Sequence, residues 1–435
     1  MLNRAIDWSV SRDLRKTGKR VDDVSFGLFI AAGIIGLIQL HFPVEFGAGY
    51  EMVAIARNLA AHGVFANPFQ AANTGPTAVN PPLYPLFLGI LMLVLKVPAA
   101  VTSAAGVGSI VANALVAALL PRLSLLIFSR AEPGAAASVL WLASMRLMPS
   151  WDMSFTVAAL ILFCLFSTPP IAGDMTSARA GASSGILAGL LLLLNPASLT
   201  IAGPWVVCRL AYRKLPAGMI VRYSCVLIAT LTVIVSPWVL RNYRELGAPV
   251  IRTNLGMTLY ASLNDCAEPS LLDSEWTDCY QSHHPNTSIR EALLLRSVGE
   301  VAYDRRRIAD AGEWIRTHPR RFAQLTLARF WEFWLPPLSD PHSSWAIWLI
   351  TALSIPGLIL MARRSEPATA FILLALLLYP PMYYLVVADV RYRYPVLWLS
   401  ALPAGYLLSE IRRSVFRSLK WERYLSSHFS GSTAS

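Results

Sequence analysis

Residues Ala182–Asn195 read ASSGILAGLLLLLN, and residues Ala197–Tyr212 read ASLTIAGPWVVCRLAY. Only Pro196 separates the two runs, and Arg213 and Lys214 close the pair. Two apolar runs joined by an Asn-Pro break, with the basic residues gathered at the far end, describe a chain that crosses a bilayer and returns. The same pattern continues outward in both directions. Apolar blocks cover 26–40, 82–96, 99–120, 134–148, 153–170 and 222–238, then 343–361, 367–388 and 393–408. Composition agrees with this pattern. Of 435 residues, 55% are hydrophobic and only 14% charged, against about 25% charged in an ordinary soluble domain. The mean hydropathy is +0.49. A soluble enzyme, a disordered chain and a fibrous chain are all excluded.

The net charge of +11 does not mark a nucleic-acid binder. Its basic residues sit mostly at the ends of apolar blocks, as the positive-inside rule requires. With the N-terminus in the cytoplasm, Arg122, Arg130, Arg179, Arg213, Lys214, Arg363, Arg364 and the basic tail fall on the same side, provided one early block does not span. The block 82–96, which contains Pro85, is assigned to a helix on the outer surface. The expectation is then ten spans and five regions. These are a cytoplasmic N-terminus (1–24), a transmembrane module (25–238) with outer loop 42–98, an outer loop with an interfacial helix (239–342), C-terminal transmembrane helices (343–408) and a cytoplasmic tail (409–435). Cys164, Cys208 and Cys225 fall inside apolar blocks and read as small hydrophobes. Cys266 and Cys279 share one polar segment, either as a disulfide or as two free thiols.

Transporters place ionisable groups near mid-membrane. Here the apolar blocks are almost free of charge, Arg146 being the main exception. Glu, Asp, Arg, Asn and Tyr gather in the two outer segments, which points to chemistry at the membrane surface.

Three stretches carry a resemblance. The first runs from Gly49-Tyr50-Glu51 through Arg57-Asn58-Leu59 to Pro81-Pro82-Leu83-Tyr84-Pro85. The second is Pro237-Trp238-Val239-Leu240-Arg241-Asn242-Tyr243, followed by Thr253-Asn254-Leu255-Gly256. The third is Arg391-Tyr392-Arg393-Tyr394-Pro395. Together they resemble the bacterial branch of the GT-C glycosyltransferases. These membrane enzymes use polyprenyl-phosphate sugars and are related to the protein mannosyltransferases and the lipid A aminoarabinose transferase. The resemblance implies an all-α polytopic bundle of about ten transmembrane helices with surface helices in the first outer loop. It also implies an acidic catalytic residue in that loop and transfer with inversion at the anomeric centre.

The resemblance assigns roles to particular residues. Glu51 matches the acidic position and is the leading candidate for the base. Its apolar neighbours Met52 and Val53 would desolvate the carboxylate and strengthen it. Glu45 is the backup, and Asp152, on a short outer loop beside Trp151, is a second acidic candidate. Arg391, Arg393 and Arg241 are candidates for the donor phosphate, since a guanidinium binds phosphate through two parallel bonds. Tyr84, Asn254 and Asn264 are candidates for sugar or acceptor contacts. The aromatic run Phe330–Trp334, with His318-Pro319 ahead of it, predicts an amphipathic helix in the interface. His283 and His284 lack a ligand set, and no metal or other cofactor is predicted. Neither a Gly-rich phosphate loop nor an Asp-x-Asp pair is present, which disfavours a nucleotide-sugar donor.

The expected function is therefore sugar transfer from a polyprenyl-phosphate donor to a glycan, lipid or protein acceptor of the cell envelope, on the outer face of a bacterial inner membrane. Both termini are expected in the cytoplasm, with membrane lipids as partners and no nucleic acid. The alternatives are a lipid or polysaccharide transporter and a catalytically inactive scaffold of an envelope complex.

Overall fold

The computed structural model describes residues 2–41, 50–145, 152–167, 174–213, 215–337 and 341–429. Glu45, Arg146, Pro149 and Trp151 lie outside the described residues. The chain is an all-α polytopic membrane protein. Its first half comprises α1 (Leu2–His41), α2 (Tyr50–His62), α3 (Leu83–Leu95), α4 (Pro98–Phe128), α5 (Glu132–Ala143), α6 (Asp152–Phe166), α7 (Asp174–Leu194), α8 (Leu199–Arg213) and α9 (Ala217–Leu246). Six shorter or more polar helices follow: α10 (Leu255–Ser262), α11 (Leu271–Trp276), α12 (Cys279–His283), α13 (Ile289–Val298), α14 (Glu300–Thr317) and α15 (Pro319–Trp334). The chain then returns to apolar helices with α16 (Pro341–Arg363), α17 (Ala368–Leu378), the one-turn α18 (Pro381–Tyr384) and α19 (Tyr394–Phe429). Among the described residues, Lys19–Leu40, Pro98–Phe128, Ala217–Leu246 and Ser344–Arg363 are long and apolar enough to cross a bilayer by themselves. Shorter apolar helical stretches are Leu83–Leu95, Asp152–Phe166, Ala178–Leu194 and Ala368–Tyr384.

Local chemistry sets the breaks. The Asn195 side chain accepts from the backbone N–H of Ala197, and its own amide reaches Met153 Sδ at 3.6 Å. The Asn-Pro break thus folds into a tight turn docked on the start of α6. Gly247 ends α9 with φ +73° and returns its N–H to the carbonyl of Tyr243 at 3.0 Å, a left-handed cap that glycine adopts without penalty.

Close packing in the bundle depends on small residues. Gly181, Gly185 and Gly189 line the face of α7 that meets α9. A methyl group at Gly185 would stand 2.5 Å from the Leu227 carbonyl oxygen, and one at Gly181 would stand 2.7 Å from that of Tyr223. Small residues at such spacing let helix backbones approach where lipid gives no hydrophobic drive to association. The centre of the core is α19, against which α5, α6 and α16 pack. Trp141, Trp398, Tyr394 and Tyr406 are buried there, and Trp205 meets Phe371 edge-on at 5.0 Å.

The two ends of the bundle differ. At one end Glu410 accepts from Arg130 and Arg364, Arg413 pairs with Glu132 at 3.3 Å, and Arg122 pairs with Asp22 at 2.9 Å. At the other end lies a loop layer made of residues 50–97 and 248–335. Buried polar contacts join its two parts through Glu300 and brace the second part internally. Glu300 accepts from Thr77 Oγ1, from the Ala78 N–H at 2.7 Å and from Thr253 Oγ1. Arg329, fully buried, donates to the carbonyls of Ser262, Glu268 and Leu385. Arg307 pairs with Glu291 and Asp310, and Tyr303 Oη donates to Glu291 at 2.7 Å. Cys266 and Cys279 form a disulfide. The helix expected after His318-Pro319 is α15, with Leu325, Arg329 and Phe333 turned inward and Leu327 and Trp331 exposed.

Candidate active site

The helix ends beneath the loop layer carry the site. Asp152 is the first residue of α6 and is only 5% exposed, so the charge sits on the positive end of a helix. Its Oδ1 has no hydrogen-bond partner among the described residues. The charges of Arg252 and Arg391 act on this carboxylate, and it acts in turn on Tyr84, Tyr379 and Tyr383.

Arg391 lies on a 3-10 turn, Val390–Arg393, just before α19. Asp389 shapes that turn: its Oδ1 accepts from the Arg391 backbone N–H at 2.8 Å, and its Oδ2 lies 3.1 Å from Arg391 Nε. The Asp389 carboxylate and the phenols of Tyr392 and Tyr280 hold Arg391 firmly protonated against the cost of desolvation. Its charge reaches Tyr280 and His284, both of which also feel Glu51.

Glu51 occupies the first turn of α2 and is half-buried. His284 is 4% exposed and stacks on Tyr280 with ring centroids 5.1 Å apart. Burial favours its neutral form and lowers its pKa, with Glu51 opposing and Arg391 adding to that effect. Burial pushes the Tyr280 phenol well up, so it stays protonated as a donor. Tyr383 stacks on Tyr392 at 4.6 Å and packs on Tyr379 at 5.0 Å, forming an aromatic wall. Charge coupling thus links Asp152 with Tyr84, Arg252 and Arg391, and links Arg391 and Glu51 with Tyr280 and His284.

Other predicted residues are differently placed. Tyr84, buried at the start of α3 against Phe87 and Phe155, stands beside Asp152. Arg241 donates to the carbonyls of Thr77 at 2.7 Å and Phe65 at 2.6 Å, and to Asn242 Oδ1 at 3.0 Å. Those bonds make it a brace of the first loop, and the phosphate expectation for it is set aside. Arg393 is 1% exposed, with its guanidinium 4.3 Å from the ring centre of Trp334 and Nη2 donating to Ser400 at 2.7 Å. It is sealed among Phe333, Trp334 and Ser400. Asn264 donates to the Tyr260 carbonyl at 3.0 Å and accepts from the Cys266 N–H at 3.1 Å, which sets the turn beside the disulfide. Asn254 precedes α10 and its carbonyl accepts from Thr258 Oγ1 at 2.8 Å. Both asparagines have local turn roles here. Cys266, Cys279 and His283 lie within 4.8 Å of one another, but the disulfide leaves no thiolate to bind a metal.

Sequence reasoning missed Arg252, Tyr280 and His284. Each is brought to the cleft by a contact distant in sequence, and none carries a local signal beyond its residue type.

A hollow opens between α2, α3 and the start of α4. It has a volume of about 210 Å³ and is lined by Val53, Leu88, Met92 and Val101, with Arg57 and Lys96 at its rim.

No family model matches the sequence, and no curated protein matches it. Among solved structures, the chain is similar to the oligosaccharyltransferase of Archaeoglobus fulgidus, crystallised in complex with Zn and sulfate. The TM-score is 0.54 at 13% sequence identity, over 92% of this chain and 51% of that one. This chain thus spans about half the length of the structure it matches, and the likeness is one of fold.

Proposed function

We propose that the chain is a membrane glycosyltransferase that moves a sugar from a polyprenyl-phosphate carrier to a cell-envelope acceptor. The observation that carries this reading is that the charge of Arg391 acts on Asp152 and, together with Glu51, on the buried pair Tyr280 and His284. Glu51, Asp152 and Arg391 come from three segments far apart in sequence, in a fold like that of an oligosaccharyltransferase.

Each group has a task in the transfer. Glu51 takes the proton from the acceptor hydroxyl or amine as its oxygen or nitrogen attacks the anomeric carbon. The bond from that carbon to the phosphate oxygen breaks, and polyprenyl phosphate leaves with its charge increased by one. The leaving group is already a stabilised anion, so positioning and electrostatics supply most of the acceleration. Arg391 takes up the developing phosphate charge. Asp152 has an unpaired oxygen for a hydroxyl of the sugar or acceptor. The Tyr379–Tyr383–Tyr392 wall gives the sugar ring an aromatic face. Attack opposite the leaving phosphate inverts the anomeric centre. In the orientation given by charge counting, the cleft faces outward from a bacterial inner membrane.

The test incubates purified protein in lipid with a panel of polyprenyl-phosphate sugars and measures polyprenyl phosphate released with and without acceptors. Release is expected with at least one sugar and should fall by about 100-fold or more in Glu51→Gln, the range for general-base loss. Release that survives both Glu51→Gln and Asp152→Asn unchanged would remove the reading.

A further inference from the structure

The hollow between α2, α3 and the start of α4 has no task in the transfer chemistry. Its wall is largely apolar, and none of the residues lining it is acidic. Arg57 and Lys96 line it as well, and both are exposed. We propose that the hollow binds an anionic phospholipid of the surrounding bilayer. The end of one acyl chain enters it, and the lipid phosphate sits at Arg57 and Lys96. The site does not rest on the glycosyl-transfer reading.

Depth, charge and size carry the proposal. The hollow is lined by Pro98, Val101 and Ala105, in the first turns of the spanning helix α4. That helix has 31 residues and is about 46 Å long at 1.5 Å per residue. A bilayer with its headgroups measures about 40–45 Å, so the first turns of α4 stand at headgroup depth. On α3, Leu88, Met92 and Lys96 recur every fourth position and line the hollow. Leu86, Ile90 and Val94 are exposed on the opposite face, which is an apolar surface fit for lipid. The side chains of Arg57 and Lys96 have no hydrogen bond or ion pair with any described residue. By contrast, Arg122, Arg130, Arg307 and Arg391 each meet a carboxylate of the chain. Two unspent cations beside an apolar wall match an amphiphile with an anionic head. The volume of about 210 Å³ exceeds the roughly 150 Å³ that admits benzene. It falls short of the roughly 300–1,000 Å³ that encloses a whole drug-sized ligand. A chain end fits, and the headgroup stays outside with the exposed cations. Ala56, Tyr84, Leu88 and Ala105 form one buried cluster beside the hollow, so a bound lipid fastens α2 to α3 and α4.

The experiment uses the full chain in detergent micelles. Dioctanoyl phosphatidylglycerol and dioctanoyl phosphatidylcholine are titrated in, and the first bound lipid is followed by native mass spectrometry. Wild type should prefer phosphatidylglycerol. Replacing both cations (Arg57→Gln with Lys96→Gln) should weaken phosphatidylglycerol by about 30-fold, the combined effect of two cations at a lipid surface, and leave phosphatidylcholine unchanged. The charge-keeping pair, Arg57→Lys with Lys96→Arg, should bind like wild type. Val101→Phe keeps both charges and fills the hollow, and should also weaken phosphatidylglycerol. In wild type the lipid should slow hydrogen exchange at residues 53–60. Phosphatidylglycerol binding within twofold of wild type in the glutamine pair would overturn the proposal. An equal loss of both lipids would do the same, because charge would then not be what is recognised. Unaltered binding in Val101→Phe would remove the acyl chain from the hollow, and unaltered exchange at residues 53–60 would remove the contact with α2; either result overturns the site. Displacement of phosphatidylglycerol by farnesyl phosphate at an equal or lower concentration would also overturn it, assigning the hollow to a prenyl carrier. Sugar transfer is measured in none of these arms, so the site and the transferase reading fail separately.

Discussion

The packing of α7 on α9 can be tested by adding a single methyl group. At Gly185 the new carbon would stand 2.5 Å from the Leu227 carbonyl oxygen and 2.8 Å from Thr230 Cβ. Ordinary contact begins near 3.4 Å, so the helices must part by about 0.9 Å. The obstructing atom is backbone, which cannot swing aside as a side chain would. A gap of that size forfeits roughly a quarter to a half of each dispersion contact along the seam, and overpacking of this kind costs about 1–3 kcal/mol. The same substitution also favours the helix by about 1 kcal/mol, which obscures the net effect. Gly203 in α8 provides the control, because a methyl group there meets nothing within 4 Å. The propensity gain is common to both sites, so Gly203→Ala minus Gly185→Ala isolates the packing cost. Thermal unfolding in detergent, followed by far-UV circular dichroism, should rank Gly203→Ala at or above wild type and Gly185→Ala below it. The difference in stability should be about 1–3 kcal/mol. Equal melting of the two variants would refute the claim that α7 and α9 meet through their backbones.

Three further outcomes are expected. Replacing Cys266 and Cys279 with serine opens a loop of sequence separation 13, and the chain-entropy model puts the loss near ~3 kcal/mol; proteolysis confined to residues 263–284 should report it, and unchanged protection would contradict it. Glu300→Ala strands Thr77, the Ala78 N–H and Thr253 in a buried setting, at about 1–3 kcal/mol per group left unsatisfied; hydrogen exchange at residues 77–79 should rise sharply, and an unchanged rate would show that the carboxylate is no hub. Burial and the charge of Asp273 raise the Glu332 pKa to about 7, with Arg329 opposing. A carboxyl raised on folding makes the native state the stronger proton binder, so stability falls as pH rises from about 4.5 to about 7 and is flat above. Glu332→Gln should flatten that slope of melting temperature against pH, and an identical slope in the variant would reject the assignment.

The bundle was legible because its signals are local. Asn195-Pro196 marks a turn by residue type, the apolar blocks mark helices by length, and His318-Pro319 marks the start of α15. The segment 255–317 was not legible as helices. Beside a few buried apolar residues such as Met257 and Leu295, it is held by a disulfide, the Arg307–Glu291 pair and the Glu300 contacts, which leave no apolar stripe to read. The site divides in the same way. Tyr84 and Arg391 belong to recognisable stretches and Asp152 to a short acidic loop, and the charge of Asp152 is coupled to both. Arg241 and Arg391 look alike in sequence, and only the carbonyls of Phe65 and Thr77, far along the chain, separate a brace from a cleft residue. His284 was judged by its lack of ligand partners, whereas its place follows from stacking on Tyr280.

The stitching of the loop layer has a consequence for how such a chain can be recombined. Residues 65–79 and 241–300 are bound through Phe65, Ala71, Thr77, Ala78 and Val79 on one side and Arg241, Arg252, Thr253, Asn286 and Glu300 on the other. They form a single cassette encoded in two separated pieces. A crossover between them would pair halves whose donors and acceptors were never matched, whereas moving both pieces together onto a foreign bundle preserves every bond. The loop layer is therefore inherited as a linked pair of segments, and a chimera that exchanges only the first should fail at assembly.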